Sequence, residues 1–273
     1  MLERERHTII LKLVNDRSIV SVSDLSGLLN ASEATIRRDI NAMAEAGSLR
    51  RIRGGAEAVR PRHEARLVGV PFAMSQELCV AEKRAIAGAA VKLIAGDESI
   101  IIQGGTTTYA LVEFLADTNL DILTNSFPIA AKLLETSKNR ITLPGGTLFR
   151  EQNIILSPFN NDAIDGFRAG IMFAGCYGIG RFGIMETDPL IAQAESRLLQ
   201  RAERLVVMAD SRKLRNRSSM IVAGLERISV LITDDGARPE ELDVFRTAGI
   251  EVIVVPVPDR ETDSAAGENA AAG

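Results

Sequence analysis

Between residues 82 and 256, seven short apolar runs (99–102, 122–124, 141–143, 171–174, 205–209, 230–233 and 252–255) alternate with segments of helical period. Runs this short are strands rather than helices, and their continuous apolar character suits strands covered on both faces. Strands joined through helices must cross over, which yields a mainly parallel sheet with helices packed on it. Four of the runs lead into small polar residues: Gln103-Gly104-Gly105-Thr106-Thr107-Thr108, Thr124-Asn125-Ser126, Pro144-Gly145-Gly146-Thr147, and Ala209-Asp210-Ser211-Arg212-Lys213. In an open parallel sheet such loops share the C-terminal edge, where ligands bind. Glycines let the backbone approach a ligand closely, helix N-termini favour anions, and hydroxyls donate to oxygen. Lys213 adds a point charge suited to phosphate. A single Gly-Gly-Thr loop can equally serve only to turn the chain; the series is the stronger signal.

The first sixty residues follow a different rule. Leu2, Ile9, Ile10, Leu13 and Val14 recur at helical spacing and predict a helix over 3–15. Ser21, Ser23 and Asp24 offer N-caps for a second helix with Leu25, Leu28 and Leu29 as its buried stripe. After the turn Asn30-Ala31-Ser32, Ser32 caps a third helix whose core side is Ile36, Ile40 and Met43, and Gly47 ends it. Two helices joined by so short a turn form a helix-turn-helix, with the last helix entering the major groove. The inward isoleucines place Ser32, Thr35, Arg37 and Arg38 on or beside the outer face. Arginine can hold guanine bidentately, and hydroxyls suit phosphates or base edges. Asp39 reads as structural, holding an arginine by a charge-assisted bond. Residues 48–56 alternate apolar and basic side chains and then turn on Gly54-Gly55, a short β-wing carrying Arg50, Arg51 and Arg53 toward the DNA backbone. A helical hairpin that only dimerises is the competing reading.

Charge separates the same two regions. The net charge is −4, yet residues 1–60 carry +2, which leaves −6 for the remainder. A basic head on an acidic body suits a DNA-reading module joined to something else. The hydrophobic share of 46% and charged share of 25% argue against disorder in the bulk of the chain. Cys79 and Cys176 are too few and too far apart for a disulfide framework. No apolar run approaches the ~18 residues of a membrane span, and the charged start Met1-Leu2-Glu3-Arg4-Glu5-Arg6 is not a signal peptide. A cytoplasmic protein without membrane contact is expected. His7 and His63 have no ligand cluster at metal spacing, so no metal and no cofactor is expected.

The run from Ser32 to Ile40, with its Thr35-Ile36-Arg37-Arg38-Asp39 string, followed by Gly47, Leu49, Arg51 and Arg53-Gly54-Gly55-Ala56, resembles the DeoR family of bacterial transcriptional regulators. The resemblance continues through the body, which is similar to the family's effector domain. It implies a winged helix-turn-helix over 1–58 and a linker over 59–81. Beyond these it implies a larger Rossmann-like α/β domain over 82–256, related to ribose-5-phosphate isomerase and binding phosphorylated sugars. The segment 257–273 is expected to be a disordered tail. Carried over by position, Gly104, Gly105, Thr106, Thr107, Thr108, Asn125, Ser126, Gly145, Gly146, Asp210 and Lys213 are effector-site candidates. Gln103 departs from the acidic residue common in the family. Leu156-Ser157-Pro158 departs from the common Gly-Pro and resembles the branch that includes ascorbate-utilisation repressors.

The implied function is repression of a carbohydrate catabolic operon, with affinity for double-stranded operator DNA controlled by a phosphorylated sugar. One recognition helix reads few base pairs, so a homo-oligomer, dimer or tetramer, is expected, assembled through the body. No catalytic residue is assigned. The alternative is a sugar-phosphate isomerase-like enzyme using the same loops. It would need a base beside the substrate, for which only Asp188 and Asp210 offer themselves. A DNA-binding protein whose body only oligomerises would leave the repeated loops unexplained. Glu186, Asp188 and Glu195 either meet sugar hydroxyls or cap and solvate the following helix, the latter being favoured for Glu195. Cys79 and Cys176 read as packing residues, and Phe127, Phe149, Phe167 and Phe173 as core.

Overall fold

The change of periodicity along the chain is matched in space. The computed structural model describes residues 3–17, 19–29, 31–58, 72–95, 99–159 and 161–257, and the chain divides into two units, Met1–Arg66 and Leu67–Gly273.

In the first unit α1 (Glu3–Arg17), β1 (Ile19–Ser21), α2 (Val22–Leu29) and α3 (Glu33–Glu45) precede a hairpin of β2 (Leu49–Ile52) and β3 (Gly55–Ala58). The strands form one antiparallel sheet in the order β1-β3-β2. Its core joins Ile10 and Val14 of α1, Leu25 and Leu29 of α2, and Ile36, Ile40 and Met43 of α3 to Val20, Leu49 and Ala56 of the sheet. This is a winged helix-turn-helix. Leu28, expected in the buried stripe, is 58% exposed; in so short a helix Leu25 and Leu29, four residues apart, already fill the inward face.

The second unit is built on β4 (Ser99–Ile102), β5 (Asp121–Thr124), β6 (Arg140–Thr142), β9 (Ala169–Ala174), β12 (Ala202–Met208), β14 (Val230–Asp234) and β15 (Glu251–Val255). They form a seven-stranded, wholly parallel sheet in the order β15-β14-β12-β9-β4-β5-β6. One face packs Ile100, Ile102, Ile122, Phe173 and Val206 against α5 (Val80–Ala90), the 3-10 turn Ala110–Phe114 and α7 (Phe127–Thr136). Ile101, Leu123, Met172 and Val207 point the other way, toward α8 (Ala163–Gly166), α9 (Pro189–Leu199) and α10 (Pro239–Thr247). Burial on both faces explains why these strands read as unbroken apolar runs.

Five short antiparallel strands escaped the sequence reading. These are the hairpin β7 (Thr147–Phe149) with β8 (Ile154–Leu156), and the small antiparallel sheet β10 (Gly178–Gly180), β11 (Gly183–Glu186) and β13 (Met220–Ala223). Residues 72–81, read as linker, belong to the second unit, where α4 (Phe72–Gln76) is tied by the Phe72 N–H to Glu151 O at 2.8 Å and by an edge-on Phe72–Tyr109 pair. The rest of that linker, 59–71 with His63, lies outside the described residues. At the other end Val257, read as tail, is buried and donates its N–H to Asp235; residues 258–273 lie outside the described residues. Phe127 is 52% exposed and is not core, whereas Phe173 is fully buried. Among the described residues no helix is long and apolar enough to cross a membrane.

Candidate functional site

The hydroxyl of Ser32 accepts the Thr35 N–H at 3.2 Å and lies 2.9 Å from Thr35 Oγ1, which caps α3. With Ile36, Ile40 and Met43 buried, the helical repeat turns Arg37 and Arg38 outward, and both are exposed. Arg37 pairs with Glu33 at 2.7 Å on the surface, a contact worth only about 0.3–0.5 kcal/mol and easily exchanged for a phosphate. Between the two outward arginines and the core, Asp39 is buried and takes Arg6 at 2.5 and 3.0 Å and His7 at 3.1 Å. Burial pushes its carboxyl up, but the Arg6 and His7 bonds outweigh this and hold it below the ordinary value. The sequence reading of Asp39 as an arginine holder is met by Arg6, which fastens α1 to α3.

In the wing, Arg50 faces Glu57 across the hairpin at 3.3 Å, while Arg51 and Arg53 are exposed and have no ion-pair partner among the described residues. Arg37 and Asn41 of α3 and Arg51 and Arg53 of the wing line one groove with Val22, Ile40 and Ile52. Asn41 was missed, although its place one helical turn beyond Arg37 would have found it.

A second site lies in the larger unit. From β4 the chain lays its strands outward through β5 and β6, then returns to place β9 on the other side of β4. Where the direction of winding reverses, the loops leaving the two neighbouring strands part and open a crevice. A cavity of about 280 Å³ occupies that crevice. It is lined by Gln103, Gly104, Gly105, Thr106 and Thr107 after β4 and by Gly175, Cys176 and Tyr177 after β9. Ser75 and Leu78, Gln152 and Ile154, Glu186 and Thr187, Ile191 and Glu195, and Arg212, Lys213 and Asn216 close it.

Its charges fall into two groups. Arg212 and Lys213 come from the 3-10 turn Ser211–Leu214; Arg212 bonds Asp210 at 2.9 Å, and Lys213 has no ion pair among the described residues and lies 5.9 Å from the Tyr177 ring centroid. Glu186, at the end of β11, accepts the Tyr177 N–H at 2.7 Å. Glu195, one face of α9, accepts from Gln103 Nε2, and its other oxygen is buried without a partner. Burial raises both carboxyls above the ordinary range, and Glu186 pushes Glu195 further. Behind the wall, the Lys83 ammonium donates to Ser75 O, and burial draws it down to about 8 against the pull of Asp210. Ser75 Oγ lies 3.1 Å from Thr106 Oγ1, so α4 is stitched to the Gly-Gly-Thr loop.

Five of the sequence candidates thus reach the cavity: Gly104, Gly105, Thr106, Thr107 and Lys213. The others stand behind it. Thr108 is fully buried and donates to Gln103 O and Gly105 O, holding the turn. Asn125 Oδ1 accepts the Gly104 N–H at 2.8 Å, and Ser126 caps α7 through the Ile129 N–H. Gly145 and Gly146 belong to the β7–β8 hairpin, where a side chain at Gly146 would run into Leu156 O; that hairpin presents Ile154 to Gly104, which has no room for a Cβ either. Asp210 caps the 211–214 turn and grips Arg212. Asp188 caps α9 through the Leu190 and Ile191 N–H groups, so neither aspartate weighed as a base faces the cavity. Glu195, favoured as a solvating residue, is instead 5% exposed and faces inward. Cys176 lines the cavity as well as packing on the core. Ser75, Gln152, Tyr177 and Asn216 carried no motif and were missed.

The DeoR-like helix-turn-helix domain family matches residues 6–62, and the DeoR C terminal sensor domain family matches 78–235. The chain is 34% identical over 259 residues to the HTH-type transcriptional regulator UlaR of Shigella dysenteriae serotype 1, covering 93% of this chain and 100% of that one. The UlaR of Escherichia coli O1:K1 matches with the same identity and coverage. Among solved structures, ribose 5-phosphate isomerase A from Neisseria gonorrhoeae aligns with a TM-score of 0.38 and 16% identity over 51% of this chain and 53% of that one.

Proposed function

Because the chain belongs to the DeoR family, it is a DNA-binding transcriptional regulator with a sensor for a phosphorylated sugar and not an enzyme, and we propose that the switch-point cavity is where that sugar binds. The observation that carries this reading is the convergence of Gly104, Gly105, Thr106, Thr107 and Lys213 on one cavity. Lys213, without a carboxylate partner among the described residues, meets the phosphate, with Arg212 beside it and the threonine hydroxyls as further donors. The groove of Arg37, Asn41, Arg51 and Arg53 takes operator DNA, α3 reading base edges and the wing gripping phosphates. The enzyme alternative loses its two candidate bases, since Asp188 and Asp210 are spent on caps.

The protein acts in the cytoplasm as a repressor of a carbohydrate catabolic operon, and as a dimer or tetramer joined through the second unit. A ligand changes operator affinity only if it binds the DNA-competent and incompetent arrangements unequally. The route is short in sequence: Ser75 and Leu78 line the cavity, and the chain runs back from α4 through 59–71 to the wing.

Lys213→Ala tests the assignment. Operator binding by fluorescence anisotropy should stay intact, while release by the sugar phosphate should need at least about tenfold more of it, the loss of one charged hydrogen bond. A mutant that responds at the wild-type concentration places the phosphate elsewhere.

A further inference from the structure

The sugar-phosphate reading assigns work to the loop and the cations but none to the opposite lining. There Glu195 is 95% enclosed by protein at a residue exposure of 5%, and its Oε2 has no partner while Oε1 takes the Gln103 amide. Buried polar atoms are nearly always bonded, because leaving one unmade forfeits its hydration without return. Glu195 lines the cavity, from which a ligand can supply the missing partner. Glu186 lines the same region, with one oxygen already on the Tyr177 N–H.

We propose that Glu195 and Glu186 form a hydroxyl-reading end of the cavity, so that the effector is a phosphate monoester of a polyhydroxylated compound and not a bisphosphate. This rests on the cavity being the effector site. A hydroxyl is the fitting partner because it both donates and accepts, and so serves a carboxyl whose proton is held more firmly than usual by burial and by its neighbour. A second phosphoryl group would be desolvated beside Glu186 and Glu195, and whatever charge these carboxyls keep would repel it, which acts as a selectivity filter. Gln103 is part of the device. Its neutral amide donates to Glu195, where an acidic residue would add a third carboxylate.

The test is calorimetry on the full chain with inorganic phosphate, ribose 5-phosphate, glucose 6-phosphate, glucitol 6-phosphate, fructose 6-phosphate and fructose 1,6-bisphosphate. At least one monoester should bind at least about tenfold tighter than inorganic phosphate, and the bisphosphate should bind more weakly than fructose 6-phosphate. Glu195→Met should weaken the best monoester at least about tenfold while leaving inorganic phosphate unchanged, and Glu195→Gln, which keeps hydrogen-bonding capacity, should fall between. Glu186→Gln gives the same reading if the Met variant fails to fold, with a smaller loss for the monoester and a gain for the bisphosphate. A bisphosphate that binds as well as its monoester overturns the inference. So does a panel that binds no better than phosphate, or a Glu195→Met variant that keeps full monoester affinity or loses phosphate equally. If wild type binds neither phosphate nor any ester, the failure belongs to the cavity assignment itself.

Discussion

Asp39 in the first unit and Glu195 in the second are buried almost equally, at 4% and 5% exposure, yet their carboxyls are displaced in opposite directions. Asp39 is surrounded by Arg6 and His7; Glu195 has one neutral amide and a neighbouring carboxylate. Glu195 also sits deeper in its unit than Asp39, so depth and bonded partners together decide what a carboxylate does. With cations to pay for its desolvation it rivets two helices together, and without them it is left demanding a partner that the fold withholds. The first pattern marks structure and the second marks a site.

The largest expected effect is on the rivet. Asp39→Asn removes the buried charge that Arg6 and His7 bond and should cost the first unit about 3 kcal/mol. Thermal unfolding followed by circular dichroism should show that unit melting earlier while the second unit's transition stays in place. An unchanged melting profile would break the comparison at its stronger end.

Next comes the outward neighbour of that rivet. Arg38 is exposed and has no carboxylate partner among the described residues, so Arg38→Ala should lose about 1–3 kcal/mol of discrimination between operator and unrelated DNA without destabilising the unit. Anisotropy titrations on both DNAs decide it; equal losses on both would make Arg38 a phosphate contact only.

The two carboxyls should also answer pH in opposite senses. Asp39 lies below its ordinary value of 3.8, so its stabilisation is present at neutral pH and is lost as pH falls through the folded value. Glu195 lies above 4.5, so the second unit carries a growing penalty as pH rises past the ordinary range toward the folded value. Glu195→Gln should remove that penalty and be more stable than wild type at pH 8, with no gain at pH 4. Denaturant titrations at the two pH values that show a constant difference would refute the sense assigned to Glu195.

The smallest effect concerns the wing. Arg51→Ala should weaken binding to all sequences alike and lower the slope of log affinity against log salt by about 0.9. A sequence-dependent loss would move Arg51 from the backbone to the bases.

Local patterns carried far. Ile36, Ile40 and Met43 at helical spacing were enough to turn Arg37 and Arg38 outward, since three or four residues make one turn whatever the rest of the chain does. The apolar runs identified every strand of the parallel sheet, because a strand covered on both faces has no polar alternation to blur it. Antiparallel β10, β11 and β13, only three or four residues long and rich in glycine at β10 and β11, left no such trace. The attachment of α4 left none either, since it depends on Glu151, Tyr109 and Thr106, all remote in sequence.

The candidate cavity divides along the same line. That the loop after β4 suits an anion follows from its residues alone: glycines without side chains, threonine hydroxyls, a lysine in a later loop. Which loops meet is a matter of strand order. β4 and β9 are neighbours, so the loops after them share the crevice, whereas the Gly145-Gly146 loop follows β6, two strands beyond β4. At about 4.8 Å per strand it starts roughly 10 Å away, and it contributes through the hairpin behind Gly104 instead. Glu195 on α9 reads in isolation as a charge on a helix. Only the packing of α9 over β12 and beside Gln103 encloses it, and enclosure is what changes a solvated carboxylate into one that needs a ligand.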